Sequence, residues 1–362
     1  MEKDNYRKIP IRDSHMHVWR EQSMEETVAF HKWILEEFGY ETIAIMSIHD
    51  NPNGGAMRDE NLKSMYLKKV LSPRVYAYAG LHYKDFPVDD DGTYFLEQAK
   101  YYHACGYDGI KMFYPIGCYR KGFPYIPLAD PRYDKYFAFM EETGMPITIH
   151  LGGPEACFGN IEDVPESQRK WHVKDCPVHL HDMFRDFTSM MDKFPKLKIV
   201  VAHFAFITWH PDWAQQWLDK YENLSFDLTP SLFMYFDFQD KPEIWREFLT
   251  RNADRIIYGT DIGSNTKDVE KKEPHALVHV VRGFFEETEK IYEFEEEFTP
   301  MPMPDDILKK FYKENIMRYY GGEPKAANYK LMLQEIELIA KEEGLSELAK
   351  ENLEVMRKEF IR

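Results

Sequence analysis

Two histidines separated by one residue, His15 and His17, stand in the segment IRDSHMHV. On a strand, residues i and i+2 share a face. Both imidazoles therefore point the same way and can chelate one divalent metal. Other residues that bind metal or titrate stand near the ends of further short apolar runs: Lys111 in GIKMFYP, His150 in ITIHLGG, His203 in KIVVAHFA and Asp261 in RIIYGTDIG. One histidine at a strand end is a weak sign, because such residues commonly do no more than satisfy a hydrogen bond. The combination is stronger. Three or four N/O ligands with an open position describe a catalytic divalent site, not a closed structural one. A metal in such a site polarises a carbonyl and lowers the pKa of bound water from about 16 to about 7. Asp261 can then take the proton of that water and later deliver it to a leaving group.

These residues converge only if the fold brings strand ends to one place. Eight apolar, β-branched runs begin at Ile11, Thr42, Val75, Gly109, Ile147, Lys198, Leu224 and Arg255, spaced 31, 33, 34, 38, 51, 26 and 31 residues apart. They are continuous rather than alternating, as strands buried on both faces are. Amphipathic segments fill the gaps, among them EETVAFHKWILEEFG, DENLKSMYLKKVL, TYFLEQAKYYHACG, PRYDKYFAFMEETG and PDWAQQWLDKY. Strand and helix alternating eight times predicts an α/β protein, a (β/α)8 TIM barrel whose active site lies at the C-terminal ends of the strands. A doubly wound sheet is the competing fold, but it calls for a Gly-rich turn after the first strand, and HMHVWREQ stands there. The spacing also predicts a long loop after the fifth strand, from Gly152 to about Val178, rich in Pro, Cys and charge. Loops of that length are usually lids or binding loops. The acidic run IYEFEEEFTPMPMP reads as a solvated loop. The expected organisation is a barrel over 1–322 and a C-terminal helical extension over 323–362, with helices near Ala326–Glu343 and Ser346–Phe360.

DSHMH at Asp13–His17, TIHLGG around His150, FPKLKIVVAHF and YGTD at Tyr258–Asp261 together resemble the amidohydrolase superfamily, and within it the amidohydrolase family 2 branch. ILKKFYKENIMRYYG resembles that branch's last helix, so the likeness spans about residues 10–321. The branch includes aminocarboxymuconate semialdehyde decarboxylase, aromatic acid decarboxylases and lactonases of sugars and dicarboxylates. The resemblance implies one divalent ion held by His15, His17 and His150, with Asp261 as a metal-proximal carboxylate and His203 beside the metal to polarise the substrate. Zinc suits such a set; manganese and iron are also accommodated. Three departures stand out: AHFAF where relatives have glycine after the histidine, GTDIG where they have proline, and Trp19 close behind the two histidines, as in lactonases.

Lys111, His82 in GLHY, Trp19 and Arg120 are candidate substrate contacts, Lys111 and Arg120 for a carboxylate and Trp19 for a ring. His49, His172, His179 and His181 read as loop or surface residues. A carbamylated Lys111 bridging two metals is the less favoured role. The function expected is a metal-dependent hydrolase attacking an ester, lactone or amide carbonyl of a small carboxylated or hydroxylated compound. A non-oxidative decarboxylase (a lyase) on the same residues is the alternative, and a catalytically inactive binding protein on the same fold is the third reading. The 362 residues carry 46 Lys+Arg against 62 Asp+Glu, a formal net charge of −16, which argues against nucleic acid or an anionic membrane as partner. The four cysteines are scattered and suggest no disulfide framework. No apolar stretch marks a signal or a membrane span, so a cytoplasmic protein is expected, with a homodimer compatible with the helical tail.

Overall fold

The computed structural model describes all residues except 1–5, 19–21, 49–58, 84–85, 88–89, 116–124, 165, 167–168, 170–171, 174–175, 177 and 264–270, and the side chain of residue 163. Trp19, His49, Cys118 and Arg120 lie outside the described residues.

Seven of the eight predicted runs form the strands β1 (Ile11–His17), β2 (Tyr40–Met46), β3 (Val75–Gly80), β4 (Gly109–Tyr114), β5 (Ile147–Leu151), β6 (Ile199–Val201) and β7 (Leu224–Asp227). The eighth is split into β8 (Ile256–Ile257) and β9 (Ile262–Gly263). All pair in parallel in one sheet of order β8-β7-β6-β5-β4-β3-β2-β1-β9. β8 pairs with β7, and β9 with β1. Between those two pairings, the Ser14 amide donates to Tyr258 O at 3.1 Å and the Asp261 amide to His15 O at 2.8 Å. One segment, 256–263, is thus bonded to β7 at its start and to β1 at its end.

The connecting helices are α1 (Met24–Glu37), α2 (Asp59–Val70), α3 (Tyr94–Cys105), α4 (Asp134–Thr143), α5 (Leu180–Lys193), α6 (Pro211–Lys220), α7 (Leu232–Asp240), α8 (Pro242–Arg251) and α9 (Lys272–Glu286). α1 opens with a capping box, Ser23 and Glu26 each satisfying the other's backbone amide. β3 and β6 are buried along their whole length, as parallel strands covered on both faces must be. Past β9 come α10 (Asp305–Lys309) and α11 (Asn315–Tyr320), joined by one wide helical turn, then α12 (Tyr329–Ile339) and α13 (Glu347–Ile361). The last two pack together and against α2. Cover on that side buries two ion pairs of α2, Lys63–Asp59 at 2.8 Å and Lys68–Asp108 at 2.7 Å. On α13 the buried Asn352 accepts from the Met24 amide at 3.0 Å and donates to Gln22 O at 2.8 Å. It therefore closes the main chain that leads from β1 into α1.

Three features depart from the sequence reading. The run KIVVAHFA is extended only to Val201; His203, Phe204, Ala205 and Phe206 then turn left-handed, with φ of 53°, 53°, 54° and 52°. The acidic run forms a hairpin of β10 (Ile291–Glu293) and β11 (Glu296–Phe298). Glu295 and Glu297 face solvent while Ile291 and Phe298 are buried, a short alternation hidden by the many glutamates. In the loop after β5, Cys176 is disulfide-bonded, whereas Cys105 and Cys157 are free and buried. Among the described residues, no helix is long and apolar enough to cross a membrane.

Candidate metal centre

β1 delivers His15 and His17 to one face, both buried. Asp261 reaches them from the 256–263 segment. It has a left-handed φ of 61°, and its side chain is 25% exposed. His15 Nε2 and His17 Nε2 are 3.2 Å apart. Asp261 Oδ1 lies 3.0 Å from His17 Nε2 and 3.6 Å from His15 Nε2. A tetrahedral ion with ligands at about 2.0–2.1 Å spaces its donors by about 3.3 Å. These three edges match that spacing, and His15, His17 and Asp261 form a group able to hold a metal ion. Behind it, His17 Nδ1 meets Met46 O at 2.6 Å. That leaves Nε2 as the nitrogen that faces an ion.

The other expected residues take distinct places. Lys111, buried on β4, sets its Nζ 2.8 Å from His15 Nε2. His203 stands on the left-handed turn, its ring 5.6 Å from that of His15 and 4.9 Å from that of His150. Its Nδ1 faces Thr229 O at 3.3 Å. His150 is not in the metal-holding group. Its Nε2 turns to Gly152 O at 3.0 Å, and its ring stacks on Phe113 with centroids 4.4 Å apart. The positive φ of Gly152, 74°, brings that carbonyl back toward the ring. His82 is buried at the end of β3, its main chain held on both sides by the Gln98 amide. In the loop after β5, His172 meets Gly159 O and is outside the group. His181 pairs loosely with Glu155 at 3.7 Å and is well exposed.

Burial dominates the electrostatics. It pushes the imidazoles of His15 and His17 below their ordinary value; for His15 the Lys111 charge adds to this, and for His17 burial outweighs the pull of Asp261. Both are thereby kept in the neutral form that binds metal. Burial alone raises Asp261, but the close approach of His17, His203 and His15 outweighs it and holds the carboxyl well below its usual range. Burial brings Lys111 down to about 8, against the opposing charges of Asp261 and Asp227. It also lifts Asp13 to about 7, against hydrogen bonds from Thr260 and the His15 amide.

Sequence reading missed Asp227 and Thr229. Asp227, on β7, is fully buried, with Oδ2 2.8 Å from His15 Nδ1 and Oδ1 accepting the His203 amide at 2.7 Å. Thr229 Oγ1 is 3.1 Å from the same His15 nitrogen. An available signal was a lone Asp in the apolar strand LSFDL, a position where a carboxylate needs partners. Phe206 also went unnoticed; its ring stacks on His203 at 5.0 Å.

Parallel strands whose ends carry imidazoles, carboxylates and an ammonium are the frame of an α/β enzyme acting on small molecules. A family model described as amidohydrolase matches residues 119–322, more than half of the chain, and the chain belongs to the amidohydrolase family, generally metal-dependent enzymes that include hydrolases and decarboxylases. The matched span holds His150, His203 and Asp261; His15 and His17 precede it. Among solved structures, the chain resembles an amidohydrolase II at 13% identity, covering 86% of this chain and 99% of that one with a TM-score of 0.51. It resembles an uncharacterised TIM-barrel protein from Bordetella bronchiseptica at 11% identity, covering 86% and 100%, TM-score 0.52. A 2,6-dihydroxybenzoate decarboxylase from Rhizobium aligns at 11% identity over 86% and 98%, TM-score 0.50. Likenesses this distant concern the fold alone. A comparison with curated proteins returns no match.

Proposed function

We propose that the protein is a metal-dependent hydrolase that cleaves an ester, lactone or amide of a small carboxylated or hydroxylated compound. The observation that carries this reading is the triangle of His15 Nε2, His17 Nε2 and Asp261 Oδ1, with edges of 3.2, 3.0 and 3.6 Å. We read the sheet as a closed (β/α)8 barrel, on the bonding of 256–263 to both β7 and β1. Residues 1–322 form the barrel in this reading, and 323–362 an extension packed outside it.

A divalent ion held by His15, His17 and Asp261, zinc by its donor set, supplies Lewis acidity toward a carbonyl oxygen and acidity to a water. Asp261, the exposed corner of the triangle, accepts the proton of the attacking water and returns it to the leaving group. His203 has Nδ1 committed to Thr229 O, so Nε2 faces the substrate. It lies beside the triangle, where it polarises the substrate carbonyl, a role worth about 3 kcal/mol. Lys111 adds a positive charge that suits a substrate carboxylate. His150 and Phe113 form the facing wall.

Two measurements test this. The purified protein should hold about one equivalent of divalent metal. With that metal supplied, a panel of lactones, esters, amides and carboxylic acids should give proton release without CO2 on one of the first three classes. CO2 release from a carboxylic acid would replace the hydrolase with a decarboxylase. A metal-loaded protein that turns over nothing on a broad panel would leave only binding.

A further inference from the structure

We infer that Asp227 is the positioning residue of this centre: one buried carboxylate selects the nitrogen that His15 presents to the metal and anchors the left-handed turn of His203. The metal half of the inference rests on the function proposed above; the imidazole half does not.

The argument starts from donors and acceptors. Lys111 Nζ is 2.8 Å from His15 Nε2. An ammonium only donates, so Nε2 is the acceptor and the proton of neutral His15 sits on Nδ1. That N–H has two neighbours, Asp227 Oδ2 at 2.8 Å and Thr229 Oγ1 at 3.1 Å. A hydroxyl accepts or donates equally well and selects no tautomer. An ionised carboxylate only accepts, so on the Nδ1 side Asp227 makes the choice that agrees with the Lys111 ammonium on the Nε2 side. Its other oxygen accepts the His203 amide at 2.7 Å and the Thr229 amide at 3.2 Å. The first of these lies at the start of the left-handed turn, a conformation that non-glycine residues avoid and that needs such an external hold. Asp227 is inaccessible to solvent and therefore to a substrate. It acts through the two histidines, linking the grip on the metal to the placement of the residue that meets the substrate.

Asp227→Asn separates the two tasks. The amide oxygen still accepts from the His203 and Thr229 amides, while the amide nitrogen becomes a donor facing His15 Nδ1. The donor now facing Nδ1 drives the His15 proton to Nε2, against the Lys111 ammonium, and takes away the lone pair aimed at the metal. Histidine-selective 15N NMR on the full chain stripped of metal should show Nδ1–H for His15 in the parent and Nε2–H in the variant, with Thr229→Val keeping Nδ1–H. Zn2+ affinity, read by competition with a chromophoric chelator, should fall about 10–100-fold in Asp227→Asn, with little change in the metal-free unfolding midpoint. Asp227→Ala, which removes both bonds, should lower that midpoint as well. An Nε2–H tautomer for His15 in the parent overturns the inference without any variant having to fold. So does Asp227→Asn with the parent's tautomer and Zn2+ affinity. A parent that binds no Zn2+ defeats the metal reading, while the tautomer shift still decides the role of Asp227.

Discussion

The half of the mouth built from β1, β7 and the 256–263 segment differs in kind from the half built from β4 and β5. In the first, directional bonds determine position: His15 Nδ1 is held by Asp227 at 2.8 Å and Thr229 at 3.1 Å, and His17 Nδ1 by Met46 O at 2.6 Å. In the second, ring contact does so. Phe113 stacks on His150 with an interplanar angle of 13°, and Phe206 lies 5.3 Å from His150 and 5.0 Å from His203. Phe113 also lines a small pocket with Tyr83, Tyr114, Tyr125 and Tyr133. Hydrogen bonds fix angles and protonation states, which a metal and a proton carrier require. Stacked rings fix shape and tolerate small rotations, which suits a wall against a substrate. His150 sits at a strand end like the other histidines, yet its neighbours place it in the second half.

The largest effect should come from the first half. His15→Ala/His17→Ala should lose metal binding by more than about 100-fold, read by elemental analysis and Zn2+ titration; retained metal would dissolve the triangle. The next test sets one half against the other: His17→Ala should weaken metal affinity by about tenfold or more and His150→Ala by less than about threefold. Equal losses would move His150 into the ligand set and erase the contrast. Phe113→Ala should raise KM about tenfold, or about 1.4 kcal/mol, with a smaller change in kcat. A fall in kcat alone would make the ring part of the chemistry.

Smaller effects probe the surroundings. Ala205, at φ 54°, and Ala214, in the right-handed helix α6, are both fully buried. Glycine removes the same methyl at each, but relieves about 1–2 kcal/mol of left-handed cost at 205 and adds about 1 kcal/mol at 214. Chemical denaturation should therefore find Ala205→Gly more stable than Ala214→Gly by about 2 kcal/mol; equal stabilities would mean the turn is unstrained. The smallest effect is remote from both halves. His279 lies 2.6 Å from Glu293 and 3.3 Å from Glu287. Burial lowers its pKa, but the hydrogen bond it donates to Glu293 and the two carboxylate charges outweigh this, so it is raised above 6.5. A raised imidazole contributes fully below its unfolded value and loses that contribution as pH climbs through the folded one. The Tm gap between parent and His279→Gln should thus be largest near pH 6 and shrink above neutrality. A constant gap would assign it to packing.

Strand positions were legible because buried parallel strands are continuous apolar runs, and all eight starts fall within two residues of a strand's first residue. His15, His17 and Asp261 were legible because a strand's period of two and a strand's end are features of sequence. Asp227 was not: its partners His15 and His203 lie 212 and 24 residues away, and no spacing encodes them. The turn at 203–206 was hidden because Phe and Ala do not announce a positive φ as glycine does. The hairpin at 291–298 was hidden because its two buried residues are outnumbered by glutamates.

Asn352 adds a consequence for how the chain is made. The amide of Met24 and the carbonyl of Gln22, beside the first strand, find their side-chain partner 328 and 330 residues later. During synthesis the entrance to the first helix therefore waits for this partner until residue 352 has left the ribosome. A product that stops short of residue 352 leaves two main-chain groups without that partner, at about 1–3 kcal/mol each where water cannot replace it. The helix that carries Asn352 thus acts as a late clasp on the entrance to α1.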